Sequence, residues 1–232
     1  MSGDNNINKL FFLKRWQFCC LLFFVEACTT NTTSNNKAFF TTEDSIKSAA
    51  IAQRAIQQIN AIEKSIQTGD LITRSGNDFT SESLQKINQH DKTYSHCGIA
   101  SIENDTVFVY HALGGEFNQD QKIRKDPIIL FCEPYTNRGI GIFRFKLTRP
   151  EIKNTVTTAK KYYQSGVMFD MKFDLQTDDR MYCSEFVYKS FIEGTQHNIQ
   201  FTTSHIKTFT YIGIDDLFMN PACIEIKRIL YK

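Results

Sequence analysis

Residues 169–186 read FDMKFDLQTDDRMYCSEF and place Cys183 where a polar loop gives way to an apolar helical stretch. Phe186 and Val187 begin the apolar face and Gly194 ends the stretch, so the sequence predicts a helix that starts near Cys183. A cysteine at a helix N-terminus has a lowered thiol pKa, because exposed amides and the helix dipole stabilise the thiolate. Cys183 is therefore a candidate nucleophile, although a single cysteine before a helix is more often a buried structural thiol.

Two histidines precede this cysteine on neighbouring predicted strands. His96 opens the strand 96–102 and His111 lies in the strand 107–112, with a tight turn at Asn104-Asp105 between them. Antiparallel pairing about this turn brings the two imidazoles within about two residues of each other across the strand pair. Because a strand is a rigid support for a general base, His96 is the candidate base, and His111 is placed to orient it.

The remaining patterns predict an α+β domain in which an antiparallel sheet packs against helices. Apolar residues recur every three or four positions in residues 43–67, and Pro150 is placed to open another long helix. The predicted elements are helices 43–67, 81–89, 150–163 and 183–193, and strands 71–72, 96–102, 107–112, 128–131, 140–147 and 223–230. No internal repeat is visible, so we expect one catalytic or binding unit.

Residues 1–28 have the pattern of an export signal. Basic residues precede the mostly apolar stretch 16–25, which is too short to span a bilayer. The following VEAC resembles the lipobox of bacterial lipoproteins, which implies cleavage before Cys28, lipid attached to it, and anchoring to the membrane on the periplasmic face of the cell envelope. Ordinary secretion and a retained leader are the alternatives. The interpretation is a signal peptide at 1–28, a flexible tether at 29–42, and a single folded domain at 43–232.

Charge and cysteine content argue against several classes of function. The 27 Lys and Arg residues nearly balance the 25 Asp and Glu residues and are scattered along the chain, so nucleic acid is not an expected partner. The cysteines beyond the leader show neither a CxxC pair nor a Cys/His spacing typical of zinc sites. We expect no metal and no other cofactor. These cysteines are Cys97, Cys132, Cys183 and Cys223.

Four segments, in this order, resemble the permuted papain-like cysteine hydrolases, the circularly permuted branch of the bacterial NlpC-type amidases and peptidases, and especially the YiiX-type lipoproteins. They are residues 69–72 (GDLI), 94–99 (YSHCGI), 109–112 (VYHA) and 169–186. The resemblance implies a permuted papain-like fold, with a sheet or half-barrel packed against helices. It also implies Cys183 as nucleophile, His96 as base and His111 as the third residue, which orients the base. YiiX-type relatives more often carry Glu at this third position, and a neutral His holds an imidazolium less strongly than a carboxylate does.

Other side chains near these motifs are weaker candidates. Strand alternation sends Cys97 to the face opposite the candidate base. Glu185 lies two residues beyond the candidate nucleophile and is expected to face away from it on the helix. Tyr94 and Tyr182 are placed either to line the substrate groove or donate to an oxyanion, or to pack in the core.

The leading hypothesis is an exported cysteine hydrolase that cleaves an amide or related acyl bond through an acyl-enzyme at Cys183. Within the cell envelope, peptidoglycan peptides are the obvious amides, and relatives on this permuted branch are also associated with acylated or lipid substrates. Two alternatives from other classes stay open. One is acyl transfer between lipids, as in lecithin retinol acyltransferase-like proteins, and the other is a non-catalytic binding module on the same fold.

Overall fold

A computed structural model of the protein describes residues 42–115, 118 and 120–231. The predicted signal peptide, the candidate lipidation site Cys28 and the tether up to residue 41 lie outside the described residues. Within the described part of the chain, none of the helices has the length and apolarity needed to cross a membrane.

Helices and strands alternate irregularly along the described chain. The helices are α1 (Thr42–Glu63), α2 (Phe79–Ile87), α3 (Ile128–Phe131), α4 (Arg149–Ser165), α5 (Cys183–Gly194) and α6 (Ile214–Phe218). The strands are β1 (Leu71–Gly76), β2 (His96–Glu103), β3 (Thr106–His111), β4 (Arg124–Pro127), β5 (Asn137–Phe145), β6 (Met168–Phe169), β7 (Arg180–Met181), β8 (Ser204–Ile206), β9 (Phe209–Tyr211) and β10 (Cys223–Leu230).

A six-stranded sheet in the order β10-β5-β1-β2-β3-β4 is the centre of the described fold, and every neighbouring pair in it is antiparallel. Side chains alternate between its faces, as the strand period requires. Ile99 on one face packs in a core that includes Phe186 of α5, whereas Ala100 on the other face packs in a core that includes Ile59 of α1 and Phe131 of α3. The predicted α+β architecture is confirmed.

The strand predicted at 128–131 is wrong, because this segment forms the short helix α3. Ile128 and Phe131 are buried while Ile129 and Leu130 are exposed, a spacing of three that suits a helical turn rather than a strand. The strand lies just before it, in β4, which pairs with β3. β4 reads RKDP and was not recognised as a strand, because a polar edge strand has no apolar alternation to reveal it.

The β2–β3 hairpin turns at Asn104 and Asp105, which both adopt positive φ (48° and 62°). Positive φ at both central residues matches the twist of the flanking strands in a two-residue hairpin turn. The register places Ile99 opposite Tyr110, as the predicted pairing about this turn requires. His96 and His111 therefore approach each other at the open end of the hairpin.

We expect Gly98→Ala to destabilise the fold by about 1–3 kcal/mol, because a Cβ at this position would overpack the hairpin. The added atom would lie 2.5 Å from the Tyr110 carbonyl oxygen and 2.9 Å from the His111 Cβ. Gly115→Ala is the matched control, since a Cβ there would meet nothing within 4 Å. Urea unfolding of the two variants tests this expectation, and equal free energies of unfolding would contradict it.

Candidate active site

Cys183 is the first residue of α5. Extended backbone at Tyr182 (φ −84°, ψ 171°) leads into the helix, and the Ser184 hydroxyl donates to the Ile212 carbonyl oxygen at 2.7 Å. The Cys183 side chain is buried, with 7% of its surface exposed. The predicted helix start is confirmed, and it holds the thiol against the sheet.

Glu185 caps the N-terminus of the same helix. Its carboxylate accepts from the Tyr182 backbone N–H at 3.2 Å and lies 3.0 Å from the Lys189 ammonium. Burial raises its pKa to about 7, despite the opposing effect of Lys189. The contacts of Glu185 are therefore those of a helix cap and an ion pair.

The Cys183 sulfur contacts Cys97 rather than a histidine. The Cys97 thiol donates a hydrogen bond to this sulfur and lowers the pKa of Cys183, against the effect of burial, and the backbone N–H groups of Cys97 and Ser184 act in the same direction as that bond. Burial, in turn, raises the pKa of Cys97. Strand alternation does send Cys97 to the face opposite His96, but that face is the one on which α5 begins. Sequence reasoning therefore missed this contact.

His96 and His111 form a hydrogen-bonded pair, with Nε2 of His96 2.8 Å from Nδ1 of His111. This pair is part of a longer hydrogen-bonded row, because Nε2 of His111 lies 3.0 Å from the Asp126 carboxylate. Arg124 forms the last member of the row, through an ion pair to Asp126 at 2.7 Å. The predicted proximity of the two histidines is confirmed, and β4 adds a carboxylate that the sequence analysis did not identify.

This row assigns the tautomers of both rings. Hydrogen bonds from His111 and Arg124 outweigh burial and lower the pKa of Asp126, so its carboxylate accepts the Nε2–H of His111. Nδ1 of His111 must then accept from Nε2–H of His96. The remaining nitrogen of His96, Nδ1, is therefore unprotonated and able to take a proton.

Burial lowers the pKa of His96 well below that of an ordinary histidine, and the nearby charges of Arg74 and Arg124 act in the same direction. Burial also lowers the pKa of His111 to about 4, although its hydrogen bond to Asp126 opposes this shift. Both imidazoles are consequently neutral near pH 7.

Within the described residues, no hydrogen bond joins the Cys183 thiol to the His96 ring. The two side chains instead line adjacent openings. His96 lines a cleft of about 460 Å³, Cys183 lines a narrow opening beside it, and both openings are bordered by Leu84 of α2 and by Ser95. The predicted nucleophile and base thus line two separate openings that share Leu84 and Ser95, without a direct bond between them.

The two candidate tyrosines occupy different positions. Tyr94 is a core residue, and its ring packs edge-on against Phe143 and Phe218. Tyr182 borders the opening at Cys183, but its hydroxyl already accepts from the Ile212 backbone N–H at 2.9 Å.

Residues 65–212 match the family described as permuted papain-like amidase enzymes, YaeF/YiiX, family C92. The uncharacterized protein YiiX of Escherichia coli strain K12 is 29% identical over 125 residues, a match that covers 53% of this chain and 56% of that protein. The chain thus aligns with just over half the length of this curated relative.

The fold is also similar to the crystal structure of the metalloprotein YiiX from Escherichia coli O157:H7, with a TM-score of 0.58 and 20% identity, over 71% of this chain and 98% of the other. Among the residues described here, no group of three or more His, Cys, Asp or Glu side chains is placed to hold a metal ion. The sheet, the helix-borne cysteine and the family match lead to one conclusion: the chain belongs to the YaeF/YiiX family of permuted papain-like amidases.

Proposed function

We propose that the protein is a cysteine amidase that hydrolyses an amide or related acyl bond, with Cys183 as nucleophile and His96 as base. The observation that carries this proposal is the hydrogen-bonded row from His96 through His111 to Asp126, beside a cysteine at a helix N-terminus. The row leaves Nδ1 of His96 free of a proton, which is the state that a general base requires.

The proposed reaction begins when the Cys183 side chain turns from Cys97 toward Nδ1 of His96. In the resting structure the two side chains lie against opposite faces of β2, so the proposal requires them to approach each other at the first residue of that strand when substrate binds. Unliganded catalytic groups often lie further apart than they do with substrate bound. His96 takes the thiol proton as the sulfur attacks the carbonyl carbon. Amide N–H groups at the start of α5 stabilise the oxyanion. His96 then gives the proton to the leaving amine, and water releases the acyl group as a free acid.

His111 and Asp126 act together as the orienting group of this proposal. A single carboxylate would contact the base directly, whereas here the neutral His111 ring bridges the base and the carboxylate. The carboxylate fixes the tautomer of His111, and His111 fixes that of His96. Asp126 thus offsets the weaker support that a histidine alone would give to an imidazolium.

Location and substrate are part of the proposal. The leader and the lipobox-like sequence ending at Cys28 support an exported protein held at the envelope membrane by a lipid. In that compartment, peptide bonds of peptidoglycan and acylated small molecules or lipids are the candidate substrates.

Acetylation by p-nitrophenyl acetate tests the nucleophile and the base. We expect peptide mass spectrometry to find the acetyl group on Cys183, and we expect Cys183→Ala to abolish it. His96→Ala should slow acetylation by about 100-fold or more, since it removes the general base. Cys97→Ala should keep the acetyl group on Cys183, and Cys223→Ala serves as the unaffected cysteine control. Equal acetylation of the Cys183→Ala protein would remove the central claim.

Removal of the negative charge of Asp126 tests its role. Asp126→Asn should slow acetylation roughly tenfold, the effect of losing a hydrogen bond to a charged group, because the amide can donate to His111 and reverse both tautomers. Asp126→Glu should restore part of the rate.

The pH–rate profile of the wild type gives a second test of Asp126. Because the pKa of Asp126 lies below the usual range, its carboxylate stays ionised as pH falls from about 8 to about 5, and it should add no step to the wild-type pH–rate profile there.

Asp91→Asn is the matched control for Asp126→Asn. Asp91 forms an ion pair with Arg228, elsewhere on the fold, that has the same length, 2.7 Å, as the ion pair between Asp126 and Arg124. A similar loss of rate in both variants would show that Asp126 acts through stability alone.

A further inference from the structure

Arg74 lies directly beside the candidate base. It is the residue of β1 that pairs with His96 of β2, so the two side chains share one face of the sheet. Both side chains line the same cleft of about 460 Å³, together with Arg124 and polar residues such as Asn118, Gln121 and Asn137. The cleft next to the base is therefore cationic and polar.

The Arg74 guanidinium has unused hydrogen-bonding capacity. One of its N–H groups donates to the Phe131 carbonyl oxygen at 2.7 Å, and its plane lies over the Phe131 ring, 4.9 Å from the centroid. No carboxylate forms an ion pair with it among the described residues. The nearest such group on the row, Asp126, is already bonded to Arg124 and to His111.

The acidic residue that lines the cleft, Asp78, is also engaged. Asp78 caps α2, and its carboxylate accepts from both the backbone N–H and the hydroxyl of Ser81, at 3.0 and 2.7 Å. Arg74 thus presents a half-buried positive charge to the cleft, and none of the described carboxylates forms an ion pair with it.

The positive charge of Arg74 opposes the protonation of His96, which the proposed base must undergo. A cation beside His96 disfavours the imidazolium that must form when the base takes the thiol proton. Arg74 is also near enough to interact electrostatically with the Cys183 sulfur. An anion bound to Arg74 would remove the conflict, because it would neutralise the guanidinium at the moment when His96 becomes charged.

We propose that Arg74 binds a carboxylate of the substrate, so that the preferred substrate is an amide or acyl compound with a carboxylate close to the scissile carbonyl. A guanidinium fork suits a planar carboxylate, because two parallel N–H groups can bond its two oxygens. Arg124 adds positive potential at the cleft but stays bonded to Asp126. This inference rests on the proposed function, and it adds a substrate class that the catalytic row does not specify.

The test compares alkylation of Cys183 by iodoacetate, which carries a carboxylate, and by the neutral iodoacetamide. Rates are followed at Cys183 by peptide mass spectrometry in the full chain. We expect the ratio of the iodoacetate rate to the iodoacetamide rate to fall about fivefold or more in Arg74→Gln, the order of one charge-assisted hydrogen bond. Arg74→Lys should recover part of the ratio, because it keeps the charge but loses the fork.

Arg138→Gln is the matched control, since Arg138 is an exposed arginine of the neighbouring β5 that pairs with Glu82. Its rate ratio should equal that of the wild type. In the wild type, the iodoacetate rate should saturate with reagent concentration, which indicates a bound carboxylate. A linear dependence would indicate only long-range attraction and would overturn the proposal.

The remaining outcomes separate this proposal from the proposed function. An unchanged rate ratio in Arg74→Gln would overturn anion binding. If both rates fell by the same factor, Arg74 would act on the thiol itself. Alkylation of Cys183 by neither reagent in the wild type would instead contradict the proposed nucleophile. If Arg74→Gln does not fold, the comparison of Arg74→Lys with the wild type decides.

Discussion

The register of the β2–β3 hairpin is the constraint on which the rest of the candidate site depends. A slip of one residue between two strands moves every side chain of the slipped strand to the other face of the sheet. The turn at Asn104 and Asp105 prevents such a slip, because both residues hold the positive φ that a two-residue turn requires. The same register sets the position of His111, and β4 then extends it by pairing with β3 and placing Asp126 beside that ring.

The start of the helix that carries the thiol is also held by residues outside this hairpin. Ser184 and Tyr182 both bond to the backbone of Ile212, which lies just before α6, and so hold the start of α5. The candidate nucleophile and the candidate base therefore lie on two supports, α5 and the β2–β3 hairpin, that pack against each other through Phe186 and Ile99.

The sequence was informative where local patterns decide structure. The helix start at Cys183 and the hairpin follow from capping, apolar periodicity and turn chemistry, so both could be predicted. Asp126 could not, because a polar edge strand lacks an apolar alternation, and its pairing with β3 comes from tertiary structure. The contact between Cys97 and Cys183 was missed for a related reason. Alternation gives opposite faces for His96 and Cys97, but only the packing of α5 decides which face meets the thiol.

If His96 is the base, as proposed, the charges around it favour a substrate that contributes an anion to the site. In the resting protein, the one carboxylate of the row is shared by His111 and Arg124, and both imidazoles are neutral. Proton transfer from the thiol would create an imidazolium next to the unpaired guanidinium of Arg74, and burial makes two adjacent cations costly. The thiolate offsets one of these two positive charges only until the sulfur is acylated. A substrate carboxylate on Arg74 would persist through the leaving-group step, and so would keep His96 able to hold the proton until the amine departs.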